Sequence, residues 1–296
     1  MNLRDFARRI RSGFREYKVK SSSNKVTKED IKNALKEIGI KEGDVLFVHS
    51  SLSKLGYVEG GVDAVIDALI ESVGKEGTIA MPTSQISGSS REFLKENPLF
   101  DPKESPSKMG TISETFRKRQ GVLRSSHPTH SVAAYGKYAK EIVKEHYNAK
   151  TTFGVNTPYF RIMELNGKIV FIGVDRWCMT HAHVVEDIMP NFPVNVHAKE
   201  KVNAAIIDDE GNKKQVAVRV HDTEVTKIRA VYNLNKYFEE NNIFKAAKLG
   251  NGEVEVCNAK EIIKLMVNLA KQGITIYKEH SFQPFNNQKF PDKIRL

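Results

Sequence analysis

The chain has 296 residues, 40% of them apolar and 28% charged, with a formal net charge of +10 and two cysteines, Cys178 and Cys257. Such a length can bury a sizeable core in one large α/β domain or two small ones. With no apolar run long enough to span a bilayer, no disulfide framework and no nucleic-acid-binding signature, a soluble cytoplasmic protein without nucleic-acid partners is expected.

The charge is lopsided. Residues 1–25 hold eight Lys or Arg against Asp5 and Glu16, so the remaining 271 residues carry only +4. Leu3, Phe6, Ala7, Ile10 and Phe14 recur at helical spacing among arginines, which predicts a basic amphipathic helix. Residues 3–18 would pack on the body or touch an anionic membrane surface weakly. Ser21-Ser22-Ser23-Asn24 reads as a linker, dividing an extension (1–25) from a body (26–280) and a polar tail (281–296).

Thr27 with Asp30 forms a capping-box pattern that opens a helix to Ile38. Val45–His49 is an apolar strand, Val62–Val73 a helix after the Gly60-Gly61 turn, and Thr78–Met81 a strand ended by Pro82. Residues 86–107 are rich in Gly, Ser and Pro and predict a long site-shaping loop. Ser131–Tyr135 and Lys168–Val174 are further strands, with a helix over Thr157–Leu165 between them. A helix from Thr180 to Ile188 is stopped by Pro190. Val202–Ile207 and Gln215–Val220 alternate around Asp208–Asn212 as a hairpin, and helices follow at Val225–Glu239 and Ala259–Lys271. Strands alternating with helices predict an α/β layer fold, with the hairpin making the central sheet mixed.

His183 and Glu186, at i and i+3, share a helix face. The carboxylate can take the proton of one imidazole nitrogen and leave the other as a base, and the positive end of the helix dipole favours the neutral ring. An incidental surface pair is the bland alternative. A metal site is another, built from His181, His183 and Glu186 with His127 and His130 elsewhere, although His181 and His183 point to different helix faces. Cys178 lies five residues before His183, but cysteine is more often a small packing residue than a nucleophile. Ser105–Thr111 precedes a helical stretch and offers either a phosphate cradle or plain capping by Ser107. Arg124 either grips a carboxylate or phosphate bidentately or forms an ion pair that holds the loop.

Three segments in order resemble the aminoglycoside 3-N-acetyltransferase family: Val48-His49-Ser50-Ser51-Leu52, Arg124-Ser125-Ser126-His127-Pro128, and Thr180-His181-Ala182-His183-Val184-Val185-Glu186. The likeness runs from about Thr27 to His280. It implies a single α/β/α catalytic domain that transfers acetyl from acetyl-CoA to an amine of an aminoglycoside or other amino sugar, without a metal. In that reading His183 is the general base and Glu186 orients it, after Thr180. Coenzyme A lies against His49, Ser50, Ser51, Ser107 and Thr111, and the substrate against Arg124, Ser125, His127 and Asp222. Phe153-Gly154 and Thr157-Pro158 match a further family segment as site wall and helix start. Backbone donors near Ser50–Leu52 are candidates for stabilising the oxyanion. A homodimer is left open. The basic body and the balanced charges of residues 86–103 suit a nucleotide-linked amino sugar better than a polycation. A metal-dependent hydrolase using His181, His183 and Glu186 is the reading from another class.

Overall fold

A computed structural model describes residues 25–278 and Ile294. The basic amphipathic segment and the tail after His280 therefore lie outside the described residues. The strands in chain order are β1 (Lys25–Val26), β2 (Val45–Ser50), β3 (Tyr57–Val58), β4 (Thr78–Pro82), β5 (Leu99–Phe100), β6 (Leu123–Arg124) and β7 (Val132–Gly136). They continue as β8 (Lys168–Ile172), β9 (Val202–Ile207), β10 (Lys213–Val218), β11 (Lys245–Leu249) and β12 (Gly252–Asn258).

Seven strands make the main sheet, in the order β11-β12-β8-β2-β4-β7-β6. Its centre, β8-β2-β4, is parallel, and the strands on both flanks are antiparallel. The central strands read as continuous apolar runs because both of their faces are buried. Successive residues feed opposite cores. Val45, Phe47, Ile169 and Phe171 pack with the helices Pro158–Glu164, Ala182–Ile188 and Ala259–Ala270. Leu46, Val48, Val170 and Ile172 pack with Lys28–Glu37 and Gly61–Val73 on the other face. The result is the expected α/β/α layering. Each fully buried Phe in it contributes roughly 1.5–3 kcal/mol.

The predicted caps form. Thr27 and Asp30 close a reciprocal capping box, and Thr157 caps the helix that Pro158 opens. Three details differ. The Val202–Val218 hairpin leaves the main sheet and pairs with β5 in a separate three-stranded sheet, so the mixed character comes from the flanking strands instead. Residues 86–107 contain a helix, Ser90–Lys95, and β5, which together back that small sheet over Leu94, Ala204 and Val218. The helix expected over Val225–Glu239 is broken into Thr223–Lys227, a 3-10 turn at Val231–Leu234 and Asn235–Glu240.

Parallel β8, β2 and β4 direct their C-terminal ends to one edge, and antiparallel β7 begins there. Loops after the first three and before the fourth therefore converge, as ligand-binding loops do in open α/β sheets. At the opposite flank, β11 and β12 are joined through Gly250, whose φ is 59°. A Cβ there would lie 2.2 Å from the Leu55 carbonyl oxygen. Gly250→Ala should lower stability by about 2 kcal/mol or more, measured by urea unfolding, because the backbone conformation and the contact both oppose it.

Candidate active site

The Ala182–Ile188 helix is buried on nearly all sides, which fixes its three titratable side chains, His183, Glu186 and Asp187, firmly. His183 Nδ1 lies 2.9 Å from Glu186 Oε1, as the i, i+3 spacing requires. Tyr277 Oη donates to the same oxygen at 2.7 Å. His221 Nε2 faces the second oxygen, Oε2, at 3.1 Å, and Arg229 Nη2 lies 3.4 Å from His221 Nδ1. His221 Nε2 and Glu186 Oε2 are close but form no aligned hydrogen bond. Next along the helix, Asp187 accepts from the Phe153 backbone at 2.7 Å and meets His197 Nε2 at 2.9 Å. The carboxylates thus tie the helix to the Phe153 loop and to the bridged pair His197 and His221.

These groups border a cleft of about 410 Å³ between the main sheet and the small one. Its walls include His130, Phe153, His183, His221, Arg219 and Arg229. Burial outweighs the opposing pull of Glu186 and lowers His183 to about 4, so the ring is neutral near pH 7. Burial raises Glu186, but the facing His183 and His221 donors outweigh it and hold the carboxyl well below its ordinary value. Burial and the adjacent Glu186 push Tyr277 up, so it remains a protonated donor. With Nδ1–H given to Glu186, the His183 lone pair on Nε2 is left for the cleft.

His181 is not part of this group. Its ring is fully buried, edge-on to Phe47 at 4.6 Å and to Tyr159 at 5.6 Å. The metal set His181/His183/Glu186 is therefore corrected: helix geometry turns His181 into the core. Among the described residues the group able to gather on an ion is His183, Glu186 and His221, with ligand atoms within 4.8 Å of one another.

Of the residues expected against the substrate, Arg124 is engaged by its own surroundings. It donates to Thr83 Oγ1 and Ser131 Oγ at 3.1 Å each, and to the carbonyls of Thr83, Pro102 and Ser105. These acceptors are hydroxyls and carbonyls, so Arg124 holds the surrounding loops by hydrogen bonds and not by the expected ion pair. Ser125 Oγ accepts from the Val132 backbone and meets His146 Nδ1 at 3.0 Å, fully buried. His127 Nδ1 accepts from the backbone of His130 at 3.1 Å and its ring stacks on His146 at 4.4 Å. Asp222 caps the Thr223–Lys227 helix through the Glu224 N–H. The cleft is lined one residue earlier, by His221.

The segments expected to hold coenzyme A are neighbours: a Cβ on Gly110 would lie 4.0 Å from the Ser50 carbonyl oxygen. Gly110 rather than Ser107 is the N-cap of Thr111–Arg117. The N–H groups of Ser107, Lys108 and Met109 are already given to Glu114, Ser84 and Ser107 Oγ, so they form no open cradle. The Ser51 N–H is likewise given to the Ile172 carbonyl at 2.9 Å, which removes it as an oxyanion donor. Conversely, Ser50 Oγ, Thr180 Oγ1, His49 Nε2 and both His181 nitrogens are buried without a protein partner. Buried polar groups of this kind ordinarily find a ligand or water partner. Cys178 is exposed, with its thiol pushed up by burial of the sulfur and by Asp175. That is the reverse of an activated nucleophile.

Tyr277, His221, Arg219 and Arg229 were not singled out from sequence. Tyr277 sits 91 positions from Glu186, and no local pattern marks such a contact. His221 was within reach, since it ends the run of alternating residues that forms the hairpin.

A family model described as aminoglycoside 3-N-acetyltransferase matches residues 47–271. Aminoglycoside N(3)-acetyltransferase IX of Micromonospora chalcea is 32% identical over 183 residues, which span 56% of this chain and 65% of that protein. The SPbeta prophage-derived aminoglycoside N(3')-acetyltransferase-like protein YokD of Bacillus subtilis is 33% identical over 188 residues, 58% of this chain and 69% of that protein. Its crystal structure superposes with a TM-score of 0.70 at 26% identity, covering 84% of this chain and 94% of the other. A third neighbour, AAC-IIIb in a binary complex with CoASH, shares the fold with a TM-score of 0.71 at 21% identity, covering 86% and 100% of the two chains. With the family model spanning most of its length and the His–Glu helix within that span, the chain belongs to the aminoglycoside 3-N-acetyltransferase family.

Proposed function

We propose that the protein is an acetyl-CoA-dependent N-acetyltransferase in which His183 is the general base. The observation that carries this reading is an imidazole on the cleft wall whose Nδ1 is held by a buried carboxylate that Tyr277 also bonds. Acetyl-CoA supplies an acetyl thioester, and the CoASH complex of AAC-IIIb supports that choice of donor. His49, Ser50, Ser51, Thr180 and the Ser107–Thr111 segment are the residues that would hold it.

The acceptor amine forms the new C–N bond as the C–S bond breaks. His183 Nε2 takes the proton that the amine sheds and returns it toward the departing sulfur. Glu186 keeps the imidazole in the Nδ1–H tautomer and offsets the positive charge that grows on the ring. Tyr277 holds the carboxylate in place, and no residue is acylated. Arg124 and Ser125 shape the loop that faces this site rather than touching substrate.

His183→Ala should lower kcat by roughly a hundredfold to ten-thousandfold and leave acetyl-CoA affinity nearly intact. Glu186→Gln should cost less, since the base remains. Free-thiol release and calorimetric binding of CoA check both; a His183→Ala enzyme with normal turnover would sink the assignment.

CoA should raise the melting temperature by mass action in the presence of EDTA. Stoichiometric zinc by elemental analysis, lost in His221→Ala and His183→Ala alike, would instead support the hydrolase reading.

The histidines set the response to acid. Burial lowers His49, His146 and His181 to about 3 and His183 to about 4, with His127 and His130 well below their ordinary value. In the unfolded chain each takes up a proton near pH 6.5. Between about pH 6.5 and 4 the unfolded state thus binds more protons, and stability falls as pH falls. The urea midpoint should be steady from pH 7 to 8 and drop steeply below 6, whereas kcat/KM, corrected for amine ionisation, should show no limb near 6.5.

A further inference from the structure

The cleft that His183 borders is positively charged. Arg219 and Arg229 line it, neither has an ion-pair partner among the described residues, and Arg229 Nε is buried without a hydrogen-bond partner. Lys227 is also on the wall, but Glu224 neutralises it at 2.7 Å. No Asp or Glu is among the described lining residues. Of the nearby carboxylates, Glu186 is engaged by His183 and Tyr277 and Asp187 by Phe153 and His197, while Asp222, between two lining residues, caps a helix through one oxygen. Hydroxyls of Ser89, Ser90, Thr223 and Thr226 complete the same wall.

An acceptor bearing several ammonium groups would find no carboxylate on this wall and two guanidiniums against it. An anion would find the Arg219 guanidinium, the unpartnered Nε of Arg229 and a ring of hydroxyls. We infer that the acceptor amine belongs to an anionic molecule, whose phosphate or carboxylate is held by Arg219 and Arg229 beside His183; this rests on the acetyl-transfer reading of the same cleft. Arg229 reaches His221 at 3.4 Å, and the His221 ring centroid is 4.7 Å from that of His183. The anionic group and the reacting amine are therefore a few bonds apart, as in an amino-sugar phosphate or an amino acid. The phosphates of coenzyme A are the other source of such an anion. None of His49, Ser50, Ser51, Ser107 or Thr111 lines this wall, which separates it from the segments proposed for coenzyme A.

The test is calorimetric binding and thiol release with glucosamine, glucosamine 1- and 6-phosphates, β-alanine and gentamicin. Wild type is compared with Arg219→Gln and Arg229→Gln. At least one phosphorylated or carboxylated amine should bind on the order of tenfold more tightly than glucosamine and gentamicin. That advantage should shrink in high salt and vanish in both variants, with CoA affinity unchanged. Tighter binding of gentamicin, no gain from any anionic group, or a loss of CoA affinity in the arginine variants would overturn the inference. Anion-selective binding without thiol release from any amine would leave the arginine site standing and remove the acetyl-transfer reading instead.

Discussion

Everything at the site turns on one buried carboxylate. Glu186 is 5% exposed, and an ionised group so placed persists only if its lone pairs are met. Tyr277 and His183 meet one oxygen and His221 faces the other. These partners come from the chain's C-terminal region, from the same helix, and from the end of the small sheet. A single charge therefore registers three parts of the fold against one another. The orientation of the His183 ring follows from its bond to that charge.

The same economy explains why the imidazole is neutral. A ring this deeply buried resists protonation, and the pull of Glu186 only partly offsets that resistance. In the proposed mechanism such a ring would take its proton only once the C–N bond has begun to form and the amine nitrogen has become acidic. The positive wall of Arg219 and Arg229 works in the same direction, since nearby guanidiniums disfavour a second cation on the ring.

Legibility in the sequence followed the range of the interactions. The Thr27 capping box, the Thr157-Pro158 helix start and the buried strands are local or periodic, and each was readable. So was His183 with Glu186, because helical spacing alone brings them together. β11 and β12 escaped notice because their charged residues interrupt the alternation, although Gly250-Asn251-Gly252 marks the turn between them. The hairpin was recognisable as a hairpin, but which sheet it joins depends on β5, a hundred residues earlier and only two residues long. Tyr277 had no signal, since its partner is fixed by tertiary packing alone. Arg124 and Asp222 show the opposite failure: residue type suggested ligand contact, and only the acceptors around Arg124 and the cap at Glu224 reveal that both are occupied.

The turn that leads from β8 to the His183 helix carries the chain's one tryptophan. Trp177 is 47% exposed and stacks on Tyr232 with ring centroids 5.6 Å apart, while Tyr232 Oη bonds Asp175 at 3.2 Å. Arg176 beside it pairs with Glu255 of β12 at 2.7 Å. The Trp177 indole is half exposed in the folded state, so its emission should already be red-shifted and change little in wavelength when the core melts. What it reports is the fit of the Arg176–Cys178 turn against Tyr232, a few residues from the base. Intrinsic fluorescence of this protein is therefore a local gauge of the active-site approach, and unfolding is better followed by far-UV circular dichroism.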